Sequence, residues 1–202
     1  MTRRRLVVAA ATTITVIIVV VGAWVIFGGP GATTATVALG PPRYVDETTT
    51  AGVEHTYGGG DTSYIGGGVA VFDCNDDRLP DLYLAGGSKP AAVYRNISRP
   101  GAELGFTVVP DAASSRRVMG AYPLDIDGDG QVDLAILRAD GAELLRGVGD
   151  CRFEPGNERW SFAAAADWTT AFSATWEGSS ALPTIALGKY VELDAGGNAT
   201  YT

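Results

Sequence analysis

Asp125-Ile-Asp127-Gly-Asp129-Gly-Gln131-Val-Asp133 runs directly into the apolar Leu134-Ala-Ile-Leu137, and Asp73-Cys-Asn75-Asp-Asp77-Arg-Leu79-Pro-Asp81 runs directly into Leu82-Tyr-Leu84. In both stretches acidic or amide side chains stand at loop positions 1, 3, 5 and 9, and position 7 (Gln131 or Leu79) is free to offer its backbone carbonyl. Calcium takes six to eight oxygens at roughly 2.3–2.6 Å, and alternate residues of a tight turn can converge on one such ion. An EF-hand would need a bidentate Glu at position 12 and flanking helices. Position 12 is Ile136 in one loop and Leu84 in the other. The acidic closure falls instead at position 9, and the segment after it is short, apolar and strand-like. Position 6, where a sharp turn tends to need positive φ, is Gly130 in the second loop and Arg78 in the first. Keeping the same backbone with Arg costs on the order of 1 kcal/mol, and Arg78 brings a cation near the site. The second loop is expected to bind better.

A repeat runs through the chain. Asp73 and Asp125 are 52 residues apart, as are Asp81 and Asp133, and Gly67–Phe72 leads into one loop as Gly120–Leu124 leads into the other. Val-Tyr-Arg95-Asn corresponds to Leu-Leu-Arg146-Gly, and Gly105-Phe106-Thr to Cys151-Arg-Phe153. A third copy, Ser173 to Gly188, overlays the first loop through Leu182-Pro183, but Trp176, Gly178, Ser180 and Thr184 stand where ligands stood. It is assigned structure only. A period of this length accommodates about four short strands with turns, the size of one propeller blade. The 27 glycines also point to many turns and a β-rich domain.

The formal net charge of −8 and pI near 4.6 speak against a nucleic-acid surface. Three arginines, Arg3 to Arg5, precede the uncharged apolar stretch Leu6–Phe27. As a helix it would span about 33 Å, enough to cross a hydrocarbon core, with its N-terminus cytoplasmic by the positive-inside rule. The organisation expected is a cytoplasmic N-terminus over 1–5, a membrane anchor or signal segment over 6–27, a flexible linker over 28–43 and the folded repeats over 44–202. A cleaved signal with secretion of the remainder is the alternative to an anchor. An outside location suits the two cysteines, Cys74 and Cys151, which can form one disulfide worth roughly 4 kcal/mol on the chain-entropy model; two buried thiols are the alternative.

The pattern Gly66-Gly-Gly-Val-Ala-Val-Phe-Asp73, Asp81-Leu-Tyr-Leu84, Tyr94-Arg-Asn96 and Phe106-Thr resembles the FG-GAP/VCBS repeats of integrin-α-like β-propellers, especially the bacterial relatives of the cartilage acidic protein and ASPIC/UnbV group. The resemblance covers about residues 44–202 and is strongest in Asp125–Asp133. It implies an all-β, partial β-propeller of about three blades, preceded by one N-terminal transmembrane helix. It also implies calcium held by Asp125, Asp127, Asp129, Asp133 and the Gln131 carbonyl, and in the weaker loop by Asp73, Asn75, Asp77, Asp81 and the Leu79 carbonyl. Propellers of this kind close with about seven blades, so three would leave two terminal blade faces bare; a truncated chain, an open arc or assembly with another chain is expected.

Other features point to no chemistry. The glycine runs 58–60 and 66–68 lack a following Gly-Lys-Ser/Thr and read as turns. The single histidine, His55, has no recognisable catalytic companion. Trp160, Trp168 and Trp176 are read as inter-blade filling rather than a carbohydrate platform. The function expected is a membrane-anchored, extracytoplasmic calcium-binding protein serving adhesion, ligand binding or scaffolding, not an enzyme, with an extracellular protein or glycan as ligand. The alternative is a fragment of a secreted propeller enzyme, polysaccharide-acting or lyase-like, whose catalytic residues lie outside this chain.

Overall fold

The computed structural model describes residues 40–59, 67–194, 196 and 199–200. The expected membrane segment over 6–27, most of the linker and the glycines at 60 and 66 lie outside the described residues. Among the described residues there is no helix, and hence none long and apolar enough to cross a membrane. A compact unit spans Asp46–Thr202. In the stretch before it, Tyr44 and Val45 are exposed.

Three antiparallel sheets succeed one another along the chain, in a layout consistent with a propeller-like fold. The first has the order β1 (Val69–Phe72), β2 (Asp81–Leu84), β3 (Ala92–Asn96), β4 (Phe106–Val109). The second repeats it with β5 (Val118–Leu124), β6 (Asp133–Arg138), β7 (Gly141–Gly147) and β8 (Phe153–Pro155). The third pairs β9 (Trp168–Thr175) with β10 (Thr184–Leu193), and β10 with the short β11 (Ala199–Thr200). About three repeats were expected and three sheets are found, although the third has three strands among the described residues rather than four.

Register explains why the repeat is read so clearly in the sequence. Asp81 pairs with Phe72 and Asp133 with Leu124, so each acidic position 9 is the first residue of the second strand of its sheet. Thr184 pairs with Thr175 in the same way. Each nine-residue loop is therefore the first hairpin connection of its sheet, and the acid-free stretch between β9 and β10 is the third copy of that connection.

Side-chain alternation turns the sheets into a stack. Ala70, Phe72, Tyr83 and Val93 of the first sheet pack with Val118, Leu134, Ile136 and Leu145 of the second, where Phe72 and Phe153 meet edge to face at 6.2 Å. The opposite face of the second sheet buries Ala135 and Leu144 with Ile126, against which Phe172 and Ile185 of the third sheet pack. Tyr122 stacks on Phe172 with ring centroids 5.0 Å apart. Strand β6 is buried on both faces, from Asp133 through Leu137. Its unbroken apolar run Leu134–Leu137 is the pattern expected of a strand sandwiched between two layers.

The cysteines are joined. Cys74, in the first loop, is bonded to Cys151, in the turn between β7 and β8, and so ties the first sheet to the second. The Cys151 amide also donates to the Cys74 carbonyl at 3.0 Å. Beyond this stack the outer face of the first sheet is partly covered: Tyr94 on it is buried and its hydroxyl donates to the Glu54 carbonyl at 2.6 Å. On the first sheet Val69, Val71 and Val108 are more than half exposed. On the third, Ala171, Ser173 and Thr175 point outward as small, exposed residues.

Candidate metal loops

Both loops fold around their first acid. In the first, Asp73 Oδ1 accepts the amides of Asn75 and Asp77, each at 3.2 Å, and Oδ2 accepts that of Arg78 at 2.7 Å. In the second, Asp125 Oδ1 accepts from Gly128 at 2.8 Å and Oδ2 from Gly130 at 3.0 Å. To aim those amides inward the chain turns left-handed at positions 4 and 6: φ is 60° at Asp76 and 67° at Arg78, 72° at Gly128 and 86° at Gly130. Position 6 thus adopts the conformation that the sequence requires of it, in Arg78 as well as in Gly130. Some burial works against ionisation of Asp73, but the backbone donors, led by Arg78, hold its carboxyl below the usual range.

Position 5 closes the far end of the loop. Asp77 Oδ1 accepts the Leu79 amide at 2.8 Å, and Asp129 Oδ1 accepts the Gln131 amide at 2.9 Å. The Gln131 amide and then the Arg146 guanidinium lower the Asp129 pKa. Leu79 and Gln131, assigned through their carbonyls, are therefore placed by the same acid in both loops.

Position 9 has a more structural geometry than spacing alone conveys. Asp81 and Asp133 are fully buried. Asp81 Oδ2 accepts the amide of Cys74 at 2.8 Å and Oδ1 that of Asn96 at 2.8 Å. Asp133 repeats both bonds, Oδ2 from Ile126 at 2.7 Å and Oδ1 from Gly147 at 2.8 Å. Each carboxylate thereby pins the start of its own loop to the end of the third strand. Burial pushes both pKa values up against the pull of these donors, and repulsion from Asp127 and Asp129 adds to the rise at Asp133. One oxygen has room for two partners, so at Asp133 the bonds to amides leave lone pairs for a cation, whereas Asp81 Oδ2 also lies 2.9 Å from the Cys74 sulfur and 3.7 Å from that of Cys151.

Position 3 is where the loops lack something. Asn75 Oδ1 and both oxygens of Asp127 are buried without a hydrogen-bond donor. Asn75 spends its amide nitrogen on Asp77 Oδ2 at 2.9 Å, which turns its bare oxygen the other way. Such orphaned acceptors are costly unless something positive meets them. Carboxylate oxygens of Asp125, Asp127 and Asp133 lie within 4.8 Å of one another. A hard cation fits that donor set and would meet the Asp127 oxygens, whereas among the described residues no such group forms from Asp73, Asp77 and Asp81 or includes Asp129. Asp81 also lies beside Cys74 and Cys151, but these sulfurs are spent in the disulfide and offer no thiolate.

Residues 73–136 match the FG-GAP-like repeat family, from the first acid of one loop through the second loop into β6. The chain carries an FG-GAP-like repeat. A comparison with curated proteins gives no match. The matched FG-GAP-like segment contains both position-9 acids and the whole of the first sheet after β1.

Four residues of this FG-GAP-like site escape a sequence reading. Asn96 and Gly147 act through backbone amides, which leave no side-chain signature; only their equal phase in the repeat marks them. At this spot Asn96 sends its side-chain amide to the Pro80 carbonyl at 3.0 Å, while at Gly147 a Cβ would collide with the Val132 carbonyl. Arg146 and Arg159 are the other two. Arg146 Nη2 meets Asp129 Oδ2 at 2.6 Å and its Nε lies 3.5 Å from Asp127 Oδ2, the distance at which Arg159 Nε also stands.

Outside the loops the remaining motifs make contacts of their own. His55 Nε2 lies 2.9 Å from the Ala85 carbonyl, and Gly58 bridges to Gly87. Trp168 is buried and Trp160 packs in the second interface, whereas Trp176 is half exposed in the third connection.

Proposed function

We propose that the chain is a calcium-binding FG-GAP-like repeat protein of the extracytoplasmic surface, in which the ion clamps the first hairpin of each of two sheets. Asp125, Asp127, Asp129 and Asp133 with the Gln131 carbonyl hold one ion, and Asp73, Asn75, Asp77 and Asp81 with the Leu79 carbonyl hold the other. The observation that carries this reading is the convergence of carboxylate oxygens of Asp125, Asp127 and Asp133 within 4.8 Å of one another, with position-3 acceptors in both loops buried without a hydrogen-bond donor. Four carboxylates brought into one turn repel one another and call for a positive charge among them. Ion binding to the folded form alone stabilises it by mass action, and sites as weak as 10⁻⁴–10⁻³ M still fill outside a cell.

The disulfide between the first and second sheets supports an oxidising location. The segment 6–27 supplies the anchor, with the N-terminus cytoplasmic, and the stacked sheets serve adhesion, ligand display or scaffolding toward an extracellular protein or glycan. No catalytic role is assigned. Thermal melting of the chain with and without calcium tests the metal reading. The melting temperature rises with calcium, and Asp127→Ala loses most of that gain. A melt indifferent to calcium in both proteins overturns the reading.

A further inference from the structure

We infer that Arg146, backed by Arg159, is an internal counter-cation of the second loop that a metal ion has to displace, so that this arginine sets the affinity of that loop. The inference rests on the calcium reading above. Arg146 projects from β7, one residue before the Gly147 amide that Asp133 accepts. Its guanidinium reaches the acids at positions 3 and 5: Nη2 to Asp129 at 2.6 Å and Nε to Asp127 at 3.5 Å, with Arg159 Nε at 3.5 Å from the same Asp127 oxygen. These are two of the side chains that would ligate the ion. Asp127 Oδ2 cannot face two guanidinium groups and a divalent ion at full strength, because the like charges would stand within a few ångströms.

The first loop supplies the contrast. Arg95 occupies the place of Arg146 in the repeat, one residue before the Asn96 amide that Asp81 accepts. Its Nη2 instead crosses to the β7–β8 turn, to the Asp150 carboxylate at 2.6 Å and the Asp150 carbonyl at 3.1 Å. Two differences account for this. Position 3 is the neutral Asn75, and Asp150 is held close by the neighbouring disulfide at Cys151. The loop richer in carboxylates is thus opposed by two guanidinium groups, and the poorer loop by none of the ion pairs formed among the described residues. In the metal-free protein Arg146 also relieves the mutual repulsion of four acids, so its removal has two opposite effects.

The test is calcium titration calorimetry of the full chain stripped of divalent ions, with Asp127→Asn identifying which step belongs to the second loop. Arg146→Gln tightens that step on the order of tenfold, the scale of one opposing charge at partly screened distance, and lowers the melting temperature of the metal-free protein. Arg152→Gln removes an equal charge from the exposed end of the β7–β8 turn and changes neither. Unchanged or weaker calcium binding in Arg146→Gln overturns the counter-cation role while leaving the calcium reading intact. Absence of calcium heat in every variant, with melts indifferent to calcium, overturns both.

Discussion

Asp133 and Asp127 belong to one loop and are both acids, yet their surroundings assign them different work. Asp133 is fully buried and accepts two backbone amides, from Ile126 and Gly147, 14 residues from its own position in the second case. Asp127 has no hydrogen bond and faces guanidinium groups at 3.5 Å. Spacing marks both as candidate ligands, because both are carboxylates at alternate positions, but it cannot separate a clamp of the fold from an acceptor waiting for a cation. The difference lies in which backbone amides come near, and backbone amides carry no sequence signature. The two acids separate in chelator. Asp133→Asn keeps one acceptor oxygen and turns an NH2 toward a buried amide donor, so urea unfolding in chelator shows a loss of about 2–3 kcal/mol. Asp127→Asn gives up only ion pairs at 3.5 Å to guanidinium groups that are themselves partly exposed, and stays within about 1 kcal/mol of the parent. Equal losses in the two variants would contradict the division of roles.

The hairpin connection is the element in which sequence and structure agree most closely. An acid at position 9 followed at once by an apolar run marks the start of β2 and of β6, and the same phase finds the start of β10 at Thr184 although its loop has no acids. Such legibility has a physical origin: the loop shape is dictated by local bonds from Asp73 and Asp125 to amides two to five residues on. The destination of long side chains from a neighbouring strand is not local. Arg95 and Arg146 share a repeat position, but one crosses to Asp150 in the second sheet and the other stays over its own loop. Backbone conformation at position 6 is local again. Arg78 sits at φ 67° with its amide bonded to Asp73, whereas Gly130 adopts φ 86° with no Cβ to strain. Replacing Arg78 by Gly removes the left-handed penalty, partly offset by the greater freedom of glycine in the unfolded chain. A stabilisation of up to about 1 kcal/mol is expected in chelator, read as a higher urea midpoint at unchanged slope. A lower midpoint would mean that the Arg78 side chain contributes more than its backbone costs.

At the scale of the whole stack, stability is unevenly placed. The interface between the first and second sheets buries Tyr83, Val93, Val118, Leu134 and Ile136 almost completely and carries the disulfide and the adjoining Cys151-to-Cys74 backbone bond. The third sheet contributes the buried Trp168 and Val191 and leans on the second through Phe172 and Ile185, which are only partly covered. The outward residues of β9, Ala171, Ser173 and Thr175, are small and solvated. Regions with few buried apolar contacts open at lower free energy than the global transition. Amides of β9 and β10 are therefore expected to exchange faster than those of β2, β3 and β6, and the difference should depend on the cross-link. Cys74 and Cys151 close a loop of 77 residues, for which the chain-entropy model gives roughly 4 kcal/mol. A Cys74→Ala, Cys151→Ala double variant should lose stability of that order, and protection in β2 and β3 should fall toward that of β9, which the bond does not tie directly. Hydrogen exchange resolved by strand checks both statements. Equal protection in all three sheets, or a uniform fall in every strand when the bond is removed, would mean that the stack unfolds as one unit and that the disulfide supports it globally rather than at the first interface.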